Sequence, residues 1–331
     1  MSKGPYYIIG SERSGTNLLQ NLLAKHSELA GPKSPHLFNT LYGHQRYYGN
    51  LQEKANKVEL AKDFRTLFSH PFTNWKESHL LKIDDIASEG SDFIFTRLVH
   101  QFYSHFTREE GKSTYVSKEL NADIAFHDIL AVQPNAKFIH LVRNPYEQVA
   151  SWMRTPLFHS HPEPVIKDWV KKQNEILELK NRYPEKVYTV KYEDIVSNTQ
   201  LAISELLNFM DLVVEEQCFQ TNQKKSGEEW NKLWENLSKP ISNDLNKAAE
   251  TLTNDEIGLI TSHAKSILSE LNYNRIEYPK PSGLKWKVKK YLRSRAFAKK
   301  AVTIEGYQET VMRVKFAKDI IERRKQNYLR S

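Results

Sequence analysis

The chain has 331 residues, of which 39% are hydrophobic, so it can bury a full core as one large domain or two small ones. This composition excludes a fibrous or disordered protein. Only one cysteine, Cys218, is present, which excludes an intrachain disulfide framework and favours a reduced cytoplasm. The sequence contains neither a signal-peptide pattern nor an apolar run of about 20 residues, so we expect a soluble protein that at most lies on a membrane.

The formal net charge of +8 suggests an anionic partner, such as nucleic acid, a membrane surface or an acidic small molecule. The charge is unevenly distributed along the chain. Residues 281–331 hold 15 Lys and Arg against 4 Asp and Glu, a local charge of +11 that leaves −3 for the first 280 residues. The basic character therefore belongs to the C-terminal segment and not to the body of the protein.

The first predicted elements are a strand and a helix joined by a glycine loop. Tyr6–Ile9 is a short, bulky apolar run that ends at Gly10, and Thr16–Lys25 carries leucines at helical spacing. In such a unit the first N–H groups of the helix are unpaired and point toward the loop, where the helix dipole adds positive charge. We therefore predict a phosphate-binding unit, with a tight turn that binds no ligand as the alternative.

The loop "GSERSGTN" departs from the nucleotide-triphosphate motif G-x-x-x-x-G-K-[ST] at two positions. Thr16 stands where that motif has its lysine, and Asn17 stands where it has the hydroxyl that binds magnesium. These departures count against a magnesium-dependent kinase or NTPase, an alternative that rests on the glycine spacing alone. The predicted anion donors are the backbone and side chains of Arg13, Ser14, Gly15, Thr16 and Asn17.

Later segments repeat the alternation of strands and helices. Lys137–Val142 is typical of a buried strand and is followed by a turn and the helix Tyr146–Met153, while Val187–Lys191 is typical of another strand before a helix. The region of about residues 38–106 is helix-rich and aromatic, as expected of an insertion that shapes a cleft. Together these patterns predict an α/β three-layer fold with a central parallel sheet, a helical insertion and a basic helical C-terminal tail.

The segment Tyr278–Gly283 contains Pro and Gly and marks the predicted domain boundary, with a main domain at residues 1–278 and a basic extension at 279–331. The extension mixes Lys and Arg with apolar residues, which on a helix gives a cationic flank beside an apolar stripe. A helix packed on the body is one interpretation. Peripheral contact of residues 284–325 with an anionic membrane is a second, and binding of an anionic polysaccharide is a third.

Four segments carry a resemblance to a known family. "RSGTNLL", directly after the first strand, resembles the 5′-phosphosulfate loop of sulfotransferases, which use 3′-phosphoadenosine 5′-phosphosulfate (PAPS) and need no metal. "FIHLVRNPYEQVASW" is similar to the family's 3′-phosphate site, with Arg143 at the end of a strand and Ser151 eight residues later. Arginine offers a bidentate fork to a phosphate, and serine offers a short hydroxyl donor.

The other two segments follow in the family's order. "VYTVKYEDIVSN" resembles the segment whose tyrosine packs near the adenine, which makes Tyr192 the candidate. "KKSGEEWNKLWENLSKPI" resembles a late loop that closes over the nucleotide through a serine and a lysine, here Ser226 and Lys239. The resemblance covers about residues 6–273 and leaves the basic tail unexplained.

The resemblance implies transfer of a sulfuryl group from PAPS to a hydroxyl or amine of an acceptor. Arg13 is then expected to stabilise the leaving group, and Lys118 in "YVSKELNADIAF" matches a family lysine that follows a strand. The family places its base after the second strand, where His36 stands in this chain. The unperturbed pKa of histidine, near 6.5, suits a general base. Glu119 and His127 are the next candidates for the base.

The class of acceptor can be inferred from the residues that follow the 3′-phosphate helix, namely Trp152, Arg154, Phe158, His159 and His161. This mixture of rings and polar groups suits a glycan first, a small alcohol or lipid-linked sugar second, and a protein tyrosine third. No His/Cys cluster has metal-ligand spacing, so no metal is predicted. No nucleic-acid partner is predicted either, although a polyanion-binding protein built around the tail is an alternative of another class.

Overall fold

A computed structural model describes residues 3–86, 92–154, 161–220, 247–284, 286–289, 291–292 and 307–330. Its centre is a parallel sheet of five strands in the order β2-β3-β1-β4-β5. The strands are Tyr6–Ile9 (β1), Leu29–Ala30 (β2), Thr114–Ser117 (β3), Lys137–Val142 (β4) and Val187–Lys191 (β5). The predicted parallel α/β sheet is confirmed, and β1, β4 and β5 have the predicted bounds.

Both faces of the sheet are covered by helices. Tyr6 and Ile8 of β1 face one helical layer, while Tyr7 and Ile9 face the other, because successive side chains of a strand point to opposite sides. All four side chains are fully buried. A strand buried on both faces has no polar alternation, which is why β1 was recognisable as a continuous apolar run.

The helices form the two outer layers and a third group that packs against Val142 of β4. The layer on the Tyr6 side contains Thr16–Leu23 (α1), Tyr192–Ser197 (α8) and Thr199–Phe209 (α9). The opposite layer contains Leu37–Thr40 (α2), Lys54–Phe68 (α3), Ile94–Glu109 (α4) and Phe126–Val132 (α5). The third group contains Pro145–Arg154 (α6), Pro162–Arg182 (α7), Lys247–Thr251 (α10) and Asn254–Glu270 (α11).

The C-terminal helix Tyr307–Arg330 (α12) packs against the second layer. Its Ile320 is buried, and its Arg324 forms ion pairs with Asp63 and Glu59 of α3. This part of the basic tail therefore lies on the body, while the boundary between residues 278 and 279 stays a prediction. None of the helices in the described part of the chain has the length and apolar content required to cross a bilayer.

Candidate active site

The loop after β1 needs glycine at both of its motif positions. Gly10 has a φ of 139°, and a Cβ there would lie 2.5 Å from the carbonyl oxygen of Leu141. Gly15 has a φ of 92°, and a Cβ there would lie 2.3 Å from the ring of Tyr192. Both positions thus combine a left-handed backbone with a contact that excludes a side chain. The loop can therefore lie directly against β4 and α8.

The start of α1 is open toward this loop. Gly15 is the N-cap residue, and no side chain in the described part of the chain caps the helix. The first N–H groups and the positive end of the helix dipole are consequently available to an anion. The buried hydroxyl of Ser14 also has no hydrogen-bond partner among the described residues. A buried polar group of this kind is normally satisfied, so its position fits a bound acceptor of hydrogen bonds.

Arginine side chains come together at the same place. Arg143, directly after β4, donates from Nη1 to the carbonyl oxygen of Arg13 at 3.3 Å, and its guanidinium lies 4.4 Å from the centroid of the Tyr192 ring. Burial lowers the pKa of the Arg13 guanidinium, and the positive charges of Arg143 and Arg154 lower it further, against the opposing effect of Glu12. A site in which cations repel one another in a buried setting is stabilised by an anion.

Lys118 and Ser151 lie close to this cluster in the fold. Lys118 directly follows β3, is almost fully buried and donates from Nζ to Oδ1 of Asn17 at 2.6 Å. It therefore reaches the first turn of α1 from the neighbouring strand, as parallel strand ends allow. Ser151 is also mostly buried, on α6, the helix that begins two residues after Arg143.

A buried chain of hydrogen bonds, called the relay below, supports Ser11 at the start of the loop. Gln173 of α7 donates from Nε2 to Oγ of Ser11 at 3.0 Å, and its Oε1 accepts from Nε2 of His140 at 2.6 Å. The other ring nitrogen of His140 lies 3.1 Å from the hydroxyl of Thr189. Burial lowers the pKa of His140 to about 4, so the ring is neutral at physiological pH. Sequence reasoning missed this relay, although a glutamine within the apolar stripe of α7 was a signal for a buried polar partner.

His36 stands at the N-terminus of α2 with a φ of 61°, an uncommon conformation for a residue with a side chain. The carboxylate of Glu119 lies beside it and accepts from the N–H groups of Leu37 at 3.1 Å and Phe38 at 3.4 Å. It also accepts from the hydroxyl of Tyr103 at 3.1 Å. Burial raises the pKa of Glu119, while these hydrogen bonds oppose that effect. Glu119 thus fixes the backbone that carries His36.

A cavity of about 790 Å³ lies next to the loop. Its lining includes Ser11, Glu12 and His36, side chains of α2, α7 and α12, and residues of the segments that connect the helices. Trp169 of α7 lines this cavity, and its buried Nε1 has no hydrogen-bond partner among the described residues. Trp152, predicted to contact the acceptor, is also in the lining.

Other predicted site residues are not brought to this place. His127 is exposed on α5, where its ring contacts Phe126 and Tyr183, and it does not line the cavity. Ser226 and Lys239 lie outside the described residues. Within residues that the structure describes, no group of three or more His, Cys, Asp or Glu side chains could hold a metal ion. Independence from metal stays a prediction.

The comparison with known families now bears on this geometry. The model of the family described as "Sulfotransferase family" matches residues 5–216, which is more than half of the chain. The chain belongs to the sulfotransferase family. The resemblance carried by the four sequence segments is confirmed, and the match includes β1 to β5 and α1 to α9. It ends before α10, so α10, α11 and α12 lie beyond it.

Curated proteins of two bacteria are similar to this chain. The chain is 25% identical over 238 residues to an uncharacterized protein of Aquifex aeolicus, a match that covers 68% of this chain and 28% of that protein. It is 23% identical over 250 residues to omega-hydroxy-beta-dihydromenaquinone-9 sulfotransferase Stf3 of Mycobacterium bovis, which covers 63% of each chain. The chain thus spans less than two thirds of the length of either relative.

Two solved sulfotransferase domains share the fold. The domain from the curacin biosynthetic pathway has a TM-score of 0.56 and 23% identity, with 83% of this chain and 99% of that chain covered. The domain from the Synechococcus PCC 7002 olefin synthase has a TM-score of 0.54 and 19% identity, with 82% and 96% covered. At such identities the likeness shows the architecture alone.

Proposed function

We propose that this protein transfers the sulfuryl group of PAPS to a hydroxyl group of an acceptor. One observation carries the proposal: Arg13, Arg143 and Tyr192 meet around Gly15 at the open N-terminus of α1. A helix N-terminus with convergent arginines favours an anionic nucleotide. The loop carries Thr16 and Asn17 at the positions where a magnesium-triphosphate motif has its lysine and its metal-binding hydroxyl, which counts against the kinase alternative.

Different residues of this chain would bind different parts of the donor. The N–H groups at the start of α1, with Ser14, Thr16 and Asn17, would hold the 5′-phosphosulfate end. Arg143 and Ser151 would hold the 3′-phosphate, and Tyr192 would pack near the adenine. The unpaired Ser14 hydroxyl and the buried Arg143 Nε, which has no partner among the described residues, both fit such a ligand. Ser226 and Lys239 remain assigned by resemblance alone.

The proposed reaction needs a base for the acceptor and positive charge at the leaving group. The acceptor oxygen bonds to the sulfuryl sulfur, the bond from that sulfur to the bridging phosphate oxygen breaks, and the acceptor proton passes to His36. Arg13 and Lys118 would stabilise the charge on the departing oxygen, as cations do in phosphoryl transfer. Glu119 is a weaker candidate for the base because its oxygens already accept several hydrogen bonds.

The donor part of the proposal is tested by calorimetry with adenosine 3′,5′-bisphosphate, in buffer with EDTA and again with magnesium. We expect similar binding in both buffers, and we expect Arg143→Ala to weaken it by about 30-fold or more, because charge-assisted bonds to phosphate are lost. The matched control is Arg182→Ala, since Arg182 is exposed and pairs only with Glu178 in the described contacts. Magnesium-dependent ATP binding without binding of the bisphosphate would overturn the proposal.

The chemical class of the acceptor and the cellular location of the protein are also proposed. A carbohydrate acceptor is compatible with the rings and polar groups near His36, and the assay of sulfate transfer should therefore include glycans, phenols and lipid alcohols. The free, buried Cys218 is compatible with the cytoplasm.

Peripheral membrane contact is best supported at residues 284–292, where Leu284, Val288 and Tyr291 are exposed beside lysines. Sedimentation with vesicles of anionic and of neutral lipid would test that contact.

A further inference from the structure

The helix α12 is firmly attached to the body of the protein. Arg324 donates from Nη1 to Oε2 of Glu59 at 2.8 Å and also pairs with Asp63, which is almost fully buried. Phe316 stacks at 4.9 Å from the ring of His70, and Ile320 is buried in the core. These residues recur every three or four positions, so one face of α12 is its anchor.

A second face of α12 looks into the cavity. Its lining residues Val314, Ala317, Lys318 and Ile321 follow the spacing i, i+3, i+4 and i+7, which places them on one side of two helical turns. The same cavity is also lined by His36 and by Ser11 of the phosphate loop. The last helix of the described chain and the proposed base therefore line one continuous space.

The lining of the cavity is not uniform. Ser11, Glu12 and His36 are polar, α7 contributes Val165 and Trp169 together with four charged side chains, and α12 contributes mainly apolar side chains. Lys172 also lines the cavity, but Asp123 neutralises it at 2.7 Å. Volumes of a few hundred to about 1,000 Å³ are typical of sites for small molecules with an apolar body and few polar groups.

We propose that α12 is a wall of the acceptor site and selects the acceptor, which is an alcohol with an apolar body. The inference rests on the proposed sulfuryl transfer and deepens it. It assigns the specificity of the site to a helix outside the segment matched by the family model, which ends at residue 216. In this arrangement the hydroxyl end lies near His36 and the apolar body contacts Val314, Ala317 and Ile321.

Straight-chain primary alcohols from butanol to dodecanol, with glucose and cellobiose for comparison, are the probes. Sulfate transfer is measured for each, and binding of dodecanol is measured separately by calorimetry with the protein saturated with adenosine 3′,5′-bisphosphate. Ala317→Leu adds bulk to the wall, and Ile321→Ala removes it. Met312→Ala is the matched control, because Met312 lies on α12 but is exposed outside the cavity.

We expect the wild type to prefer the longer alcohols. Ala317→Leu should lower kcat/KM for dodecanol by about tenfold and spare butanol, and Ile321→Ala should weaken dodecanol binding by about tenfold. Melting curves and binding of the bisphosphate should stay close to wild type in all three variants. The inference is overturned if the wall variants behave like Met312→Ala, or if the sugars bind and are sulfated while no alcohol is. Failure of the wild type to bind the bisphosphate would instead overturn the proposed function. Calorimetry with dodecanol in the absence of nucleotide, on the wild type and the three variants, would then still decide the role of α12.

Discussion

The proposed donor side and the proposed acceptor side of the cleft are built in different ways. On the donor side, cations and N–H groups gather where β1, β3 and β4 end, because parallel strands present their carboxyl ends at one edge of the sheet. On the acceptor side, α2, α7 and α12 come from distant parts of the chain and enclose a mainly apolar space. Changes to one side should therefore leave the other intact.

The largest expected effect is on the donor side. Arg13→Gln should lower kcat by about 10³- to 10⁵-fold, the range contributed by an arginine that stabilises the transition state of phosphoryl transfer. Binding of dodecanol should be unchanged, since the acceptor side is intact. Steady-state transfer assays combined with calorimetry measure both quantities. Retention of near wild-type turnover would remove Arg13 from the reaction, and loss of dodecanol binding would contradict the separation of the two sides.

His36 lies at the junction of the two sides, and His36→Gln should separate binding from turnover. We expect kcat to fall by about 10²- to 10⁴-fold, the usual contribution of a general base. The affinity for adenosine 3′,5′-bisphosphate should be unchanged. His127→Gln is the control, because His127 is exposed away from the cavity. An equal loss in both variants, or none in His36→Gln, would be inconsistent with His36 as the base.

The ion pairs that attach α12 to α3 can be removed to test the acceptor side alone. Arg324→Met should lower the free energy of unfolding by about 2–3 kcal/mol, because the buried carboxylate of Asp63 loses one of its two arginine partners and keeps Arg323. Urea denaturation measures this loss. Arg330→Met, on an exposed residue at the end of the same helix, should have little effect.

The double variant Asp63→Asn with Arg324→Met removes both charges together. Its loss of stability should be smaller than the sum of the two single losses, since the residues interact directly. Additive losses would mean that the ion pair does not hold α12 in place. In every folded variant the affinity for the bisphosphate should remain that of the wild type.

The smallest expected effect concerns His140, which supports the loop through Gln173. Its pKa is lowered to about 4 in the folded protein against about 6.5 in the unfolded chain, so the unfolded chain binds more protons between these values. The stability it contributes is present above pH 6.5 and is lost as the pH falls toward 4. From pH 7.5 to pH 5 the loss attributable to this group is about 2 kcal/mol.

Urea denaturation at several pH values should therefore give a smaller acid-dependent loss for His140→Asn than for the wild type, by about that amount. Parallel profiles for the two proteins would show that His140 is not buried as a neutral ring. A changed profile with unchanged dodecanol binding would place the relay on the donor side of the cleft.

Much of the donor side could be predicted because its signals are local. The strand, the glycine loop and the helix are consecutive, and Arg143 and Ser151 belong to one strand-helix unit, so their proximity follows from short-range geometry. The contact between Gly15 and Tyr192 was not visible in the sequence. It depends on the order of the strands, with β4 next to β1 and β5 next to β4.

The acceptor side could be predicted less well for physical reasons. β2 has only two residues, too few to show any periodicity. The basic and apolar pattern of α12 is equally compatible with a membrane surface and with a packed helix, and the contact that decides it joins Asp63 to Arg324, 261 positions apart. A pattern within one helix cannot report such a partner. The glycan preference stays a prediction, since it was drawn from rings near the nucleotide and did not include the walls from α7 and α12.

Gly15 has a role that extends past the loop. The ring of Tyr192 fills the place where a Cβ would be, and that ring also lies under the guanidinium of Arg143. Because Gly15 has no side chain, the Tyr192 ring can lie against the loop and hold the Arg143 guanidinium in its place. Alanine at position 15 would tilt the ring and displace the guanidinium, so the variant would behave as an arginine mutant in a protein whose arginines are all intact.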